Sequence, residues 1–190
     1  MGLLAGYGEE NFTGALYGKY SFGNQYEKLL DEPFLRENTI PIIQADLKIA
    51  GLLDDMENLD IMDVGTGRQA LCFALLKANS VHHFDISKEH VTRFSKLISS
   101  KYQDLPLTTT NIDICTESLP SEKFDFVYLN GIAHHFSNTA VGLKNCASSV
   151  KSNGRIWVYF YRSGTFKWFV CDMIRRLLNA KDLDDSFIAS

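Results

Sequence analysis

From Leu59 onward, apolar positions fall in turn into short runs and helical stripes. Leu59-Asp60-Ile61-Met62-Asp63-Val64 is a strand-sized run closed by Gly65. Arg68 to Asn79 follows with Ala70, Leu71, Phe73, Ala74, Leu75 and Ala78 on a wide apolar face, which predicts a helix. Val81 to Asp85 reads as a second strand. Ser87 to Tyr102 reads as a second helix, with Ser87 as its cap and Val91, Phe94, Leu97 and Ile98 on one face. Leu107 to Ile112 is a threonine-rich third strand, and Phe124 to Leu129 a fourth, apolar enough to be buried on both faces. Asn138 to Val150 is helical, Asn153-Gly154 makes a turn, and Arg155 to Tyr161 is a fifth strand. A last helix is predicted from Phe166 to Asn179. Strands alternating with helices imply parallel pairing through crossovers, hence an open α/β sheet.

The first 53 residues have a different grain. Residues 1 to 26 mix glycine with aromatics (Tyr7, Phe12, Tyr17, Tyr20, Phe22, Tyr26), a composition suited to a lid lying over the main body. Between Tyr26 and Leu53 the pattern turns helical and is interrupted by Pro33 and Pro41, so two helical pieces are expected, the second ended by Gly51. The chain therefore divides into an N-terminal lid and helical segment, 1–53, and a ligand-binding α/β domain, 54–190.

Composition narrows the partners. Acidic residues outnumber basic ones by 23 to 19, a net charge of -4, which argues against a nucleic-acid binder. No apolar run approaches the roughly 18 residues that cross a bilayer, and the N-terminus lacks the basic flank of a secretory signal. Cys72, Cys115, Cys146 and Cys171 form no Cys-x-x-Cys pair and read as reduced thilos of a cytoplasmic protein.

Ligands of open α/β sheets bind beyond the carboxyl ends of the strands. There the first strand ends in Asp63-Val64-Gly65-Thr66-Gly67-Arg68-Gln69-Ala70. Glycine at 65 and 67 permits a sharp turn and close backbone approach, and the helix that follows offers N–H groups to an anion. Asp85 ends the next strand 20 residues after Gly65, where a carboxylate can accept from both ribose hydroxyls of an adenosine. Asp113 and Ile114 follow the third strand, the acid facing an adenine amine and Ile114 packing on the ring or donating its N–H.

In these segments the sequence resembles the class I S-adenosylmethionine-dependent methyltransferases. Asp63-Val64-Gly65-Thr66-Gly67 matches their glycine-rich motif, Asp85 their ribose acid and Asp113-Ile114 their adenine loop. Phe124-Asp125-Phe126-Val127-Tyr128 with His134-His135-Phe136 is similar to their fourth-strand signature, and Lys151 to Ile156 to the turn before their fifth strand. The pattern departs at Gln69, where a third glycine is usual. The resemblance implies a Rossmann-like open parallel sheet in three αβα layers, C-terminally incomplete for lack of the two further strands usual in the family. It implies S-adenosylmethionine as cofactor, held by Asp63, Gly65, Thr66, Gly67, Asp85, Ile86, Asp113, Ile114 and Asn130. It further implies methyl transfer, with His134 or His135 as base where the acceptor carries a proton, and the acidic balance points to a small-molecule acceptor.

Two alternatives stay open: a binding module that keeps the pocket without catalysis, and a nicotinamide-dependent oxidoreductase. Asp63 beside the glycine loop is a poor neighbour for a pyrophosphate, and no Tyr-x-x-x-Lys pair supplies a proton relay. No metal site is expected. His82 and His83 point to opposite faces of a strand, and His90 is expected on an exposed helix face. An uncovered fifth strand bearing Trp157, Tyr159 and Phe160 would favour self-association.

Overall fold

The computed structural model describes residues 30–160. The expected N-terminal lid and the expected last helix lie outside them, as does Cys171. Pro33 and Pro41 each sit in the first turn of a helix, where the missing N–H costs nothing. They open α1 (Glu32–Asn38) and α2 (Ile40–Ala50), the two helical pieces anticipated. Gly51, left-handed at φ 68°, ends α2, and Leu52 donates its N–H back to the Leu47 carbonyl.

After a 3-10 turn (Leu53–Asn58) the alternation begins: β1 (Asp60–Val64), α3 (Arg68–Leu75), β2 (Ser80–Asp85), α4 (Lys88–Lys101), β3 (Leu107–Asn111), β4 (Phe124–Asn130), a 3-10 turn (Ala133–His135), α5 (Thr139–Ser148) and β5 (Val150–Tyr159). The strands form one sheet in the order β3-β2-β1-β4-β5, all pairs parallel. The order reverses at β1, and the crevice at the carboxyl ends of β1 and β4 is where such a sheet takes its ligand.

Alternation along the strands feeds two cores. Ile61, Val81, Phe126 and Tyr128 pack with α1, α2, α3 and α4 on one face, through Leu35, Leu47, Phe73 and Phe94. Met62, Phe84, Val127 and Leu129 pack on the other, with Cys146 of α5. The Phe73 ring stands edge-on to both Phe126 (6.0 Å) and Tyr128 (5.2 Å), locking α3 to the centre of the sheet. At the amino ends, Lys151 of β5 reaches Asp125 of β4 (2.8 Å) and Asp60 of β1 (3.1 Å), while Asp125 accepts the Asp60 N–H (2.8 Å). Three strands are thus tied at the pole opposite the ligand crevice. Cys72, Cys115 and Cys146 are free thiols, and no helix among the described residues is long and apolar enough to cross a membrane.

Two boundaries differ from expectation. α3 stops at Leu75, a turn before Asn79, because Lys77 swings into the left-handed region at φ 67° and Ala78 donates to the Phe73 carbonyl (3.1 Å). This is the same terminus that Gly51 makes for α2, built without a glycine. β5 begins at Val150 and carries Asn153-Gly154 inside it as a bulge: Phe124 pairs with Val150, but Phe126 pairs with Arg155. Gly154 passes so near β4 that a Cβ there would lie 2.8 Å from the Asp125 carbonyl oxygen. Ile156 and Tyr159 of β5 are exposed.

Lys77 holds its unfavourable φ with a side chain whose one ion pair among the described residues is with Glu57, at 4.0 Å and largely in solvent. Replacing Lys77 with Gly is expected to stabilise the fold by ~0.5–1 kcal/mol, seen as a higher denaturant midpoint at unchanged m-value. Lys77→Ala keeps the Cβ and should give no such gain.

Candidate active site

The loop after β1 is shaped by two positive-φ backbone positions that L side chains rarely adopt. Gly65 has φ 129° and donates its N–H to the Phe84 carbonyl of β2 (3.1 Å). Gly67 has φ 74°, and a Cβ on it would lie 2.7 Å from the Phe94 ring of α4. Gly67 also opens α3, and no side chain of its own caps that helix. The cap comes from the strand: Asp63, 1% exposed, accepts the Ala70 N–H at 3.2 Å. Among the described residues no acceptor takes the N–H groups of Arg68 or Gln69, so the first turn of α3 keeps donors for a ligand. Burial pushes the Asp63 carboxyl up to about 7, with the neighbouring Asp85 adding to the rise and the Ala70 N–H and Arg68 opposing it.

Asp85 ends β2 beside this loop. It is buried, its Oδ1 accepts the Ser87 N–H (2.6 Å), and its Oδ2 lies 3.4 Å from His90 Nδ1. Ser87 caps α4 as expected, accepting from the His90 N–H at 3.2 Å. His90 is therefore not on an exposed face. The cap places it one turn inside the helix, pointing at the sheet and only 6% exposed, with its ring stacked on Phe94. His83 is wholly buried between the same groups. Its Nε2 is 2.6 Å from the Gly65 carbonyl and its Nδ1 2.8 Å from the Thr109 hydroxyl. Burial lowers its pKa to about 4, so the ring is neutral. A carbonyl only accepts; Nε2–H therefore donates to Gly65 and Nδ1 accepts from Thr109. His82, on the opposite face, is half-buried against Phe124.

His83, Asp85 and His90 place ligand atoms within 4.8 Å of one another, the geometry of a metal trio. Both ring nitrogens of His83 and one oxygen of Asp85 are already engaged in hydrogen bonds, however. The trio is a brace that fixes the glycine loop and the carboxylate together. Strand alternation gives His83 no partner in His82, and His90 is expected on an exposed face, although His83 and Asp85 share a strand face at i, i+2 and His90 follows its cap by three residues.

The remaining expected residues gather along the same edge. Ile86 is exposed next to Asp85. Asp113, two residues beyond β3, accepts the Cys115 N–H on Oδ1 (2.8 Å) and donates its own N–H to Glu117 (2.8 Å). Ile114 is buried among Phe84, Ile112 and Leu129, so its side chain belongs to the core. Beyond β4, Ile132 packs against the Gly65 backbone, and the His134 and His135 rings lie 4.1 Å apart in the turn that follows. Thr66 contacts Gln69 at 3.5 Å, and Gln69 is buried at the position where a third glycine was noted as usual.

Asn130, at the end of β4, lines a cavity of about 140 Å³ with Tyr128, Arg68 and Gln69. α1 and α2 form the rest of its wall, through Phe34, Asn38, Thr39, Ile42 and Ile43. The Tyr128 hydroxyl donates to Asp46 (2.7 Å); burial, with Asp46, drives its pKa up, so it stays protonated. Arg68 Nε is fully buried and has no hydrogen-bond partner. Neither Arg68 nor the α1–α2 wall was singled out from the sequence.

Known proteins share this fold. The family described as "Methyltransferase domain" matches residues 62–158, just over half of the chain. Solved structures similar to it include the YcgJ protein of Bacillus subtilis, at TM-score 0.54 and 20% identity over 69% of this chain and 56% of that one. A candidate S-adenosyl-L-methionine-dependent methyltransferase of Methanococcus maripaludis aligns at TM-score 0.57 and 14% identity, over 90% of this chain and 75% of that one. A candidate methyltransferase of Bacillus halodurans aligns at 0.52 and 20%, over 69% and 57%. The chain thus spans little more than half the length of the two Bacillus proteins. No curated protein sequence matches it. With a glycine loop after β1, an acid closing β2 and strands ordered β3-β2-β1-β4-β5, the chain belongs to the methyltransferase-domain family, within the class I S-adenosylmethionine-dependent methyltransferases.

Proposed function

We propose that the chain binds S-adenosylmethionine along the carboxyl edge of β1, β2 and β3 and transfers its methyl group to a small molecule. The observation that carries this is a buried acid, Asp63, set beside unclaimed helix N–H groups, with a second buried acid, Asp85, ending the adjacent strand. The donor set fits the cofactor's chemistry. Arg68 and Gln69 N–H groups suit a carboxylate, Asp63 suits an ammonium, and Asp85 retains lone pairs for ribose hydroxyls beyond the Ser87 bond. Exposed Ile86 offers apolar cover for a base, and Gly65, Thr66 and Gly67 let the ligand approach the backbone. Asp113 serves the adenine amine. With its side chain in the core, Ile114 contributes its backbone N–H.

When bound, the cofactor supplies a methyl group already activated on a sulfonium sulfur. The protein's task is then alignment, which alone lowers barriers by roughly 7–11 kcal/mol in favourable cases. Asn130 and Gln69 line the cavity that adjoins the glycine loop and orient what enters it. His134 or His135 takes the proton of an acceptor protonated at neutral pH. The net charge of -4 and the small cavity favour a small acceptor over nucleic acid.

Titration calorimetry should show S-adenosylhomocysteine binding and no NAD binding, and labelled methyl should pass into a metabolite extract. Binding without transfer would leave only the cofactor-holding module. Asp85→Ala should weaken S-adenosylhomocysteine binding by ~1.5–3 kcal/mol, about 10- to 150-fold; unchanged affinity would remove Asp85 from the site.

The pKa of Asp63 sets a pH dependence. A bound ammonium favours the carboxylate, so binding releases a proton and affinity rises as pH climbs through about 7. Calorimetry in buffers of different ionisation enthalpy reads that proton directly. For the empty fold the sign is opposite. An acid whose folded pKa lies above its unfolded one costs stability as pH rises from the ordinary carboxylate range to about 7. Asp63→Asn is therefore expected to melt higher than the parent at pH ~8 and to bind S-adenosylhomocysteine more weakly, with a flat pH profile.

A further inference from the structure

The cavity beside the glycine loop carries a cation whose buried nitrogen has no hydrogen-bond partner among the described residues. Arg68 cannot shed its proton, its Nε is buried without a hydrogen-bond partner, and no acidic side chain lines the cavity among the described residues. The nearby acid that feels its field, Asp63, does not line the cavity and engages one oxygen with the Ala70 N–H. Asn38, Gln69 and Asn130 add amide donors around the same space, and Phe34, Ile42 and Ile43 give it an apolar side. A planar anion with a short apolar body meets each of these demands, and a guanidinium is the side chain best matched to a carboxylate.

This space adjoins the cofactor's cradle at Arg68, Gln69 and Asn130, but two observations set its far side apart. Every residue proposed above to hold the cofactor lies within 62–158, the part common to the family, whereas the α1–α2 wall lies outside it. A wall outside the matched family span is where choice of acceptor can be made. The volume, about 140 Å³, is close to the roughly 150 Å³ of a cavity that takes a single benzene ring.

We infer that this cavity is the acceptor pocket and that Arg68 seats a carboxylate of the methyl acceptor, which is therefore a small organic acid. Its role as the acceptor pocket rests on the cofactor assignment above; the carboxylate seat does not.

The test uses benzoate as probe and benzamide as its neutral counterpart, titrated into the full chain with and without saturating S-adenosylhomocysteine. Benzoate should bind the saturated protein, with benzamide weaker by about tenfold or more. Arg68→Gln, which keeps the backbone N–H, should lose benzoate binding. Ile42 is 60% exposed, so Ile42→Glu should leave the fold intact, place a negative charge at the cavity and abolish benzoate binding, whereas Ile42→Lys should retain it. If Arg68→Gln instead weakens S-adenosylhomocysteine by about tenfold or more and leaves 5′-methylthioadenosine unaffected, Arg68 holds the cofactor's own carboxylate and the inference is overturned. It is equally overturned if benzoate and benzamide bind alike, or if the saturated protein takes neither. If S-adenosylhomocysteine does not bind at all, the cofactor assignment fails. Benzoate binding to the free protein, lost in Ile42→Glu, then upholds the carboxylate seat alone, and its absence refutes it.

Discussion

Everything at the carboxyl edge of the sheet depends on one hydrogen bond, from the Ala70 N–H to the Asp63 carboxylate. A helix that begins with glycine lacks a side chain to satisfy its first turn, and α3 borrows one from the strand before it. The bond fixes the distance between the end of β1 and the start of α3, and so the curvature of the loop between them. It also keeps an acid in the protein interior, where burial holds its proton until about pH 7. An apolar residue at 63 would pack without that cost, but it would leave the helix uncapped and the crevice without an anionic group.

Around that bond the protein places rigidity unevenly. The amino pole is tied by Lys151 across Asp60 and Asp125. At the carboxyl pole the fixed parts are the floor: Phe73 wedged against Phe126 and Tyr128, and His83 joining Gly65 to Thr109 across three strands' worth of backbone. The groups proposed to meet ligand sit on this floor with bonding capacity in hand. A buried neutral histidine serves there better than a charged one, because it can donate to a carbonyl and accept from a hydroxyl at once.

Much of this was legible in the sequence because the determinants are local. Gly65 and Gly67 declare a turn by lacking a Cβ, Pro33 and Pro41 declare helix starts, and the alternation of runs and stripes declares a parallel sheet. What escaped was set by neighbours distant in sequence. Lys77 takes the left-handed position that Gly51 takes openly, and nothing in the residue type announces it. The β5 bulge depends on the approach of Gly154 to the β4 backbone, and a turn signal inside a strand looks like the strand's beginning. His90 looked solvent-facing because histidine is polar; its burial follows from the contact with Asp85 and the stack on Phe94. Arg68 was hidden in plain view, since a cation's meaning lies in which wall stands opposite, and α1 and α2 supply that wall from some thirty residues upstream.

Phe94 presses its ring against the one backbone position of the loop that has no room for a methyl group. The fourth helix and the glycine turn therefore share a steric boundary, and neither can drift without displacing the other. Sequence change at these two places is consequently coupled. A methyl at position 67 would force the buried Phe94 ring to move, and the positive φ would still have to be met.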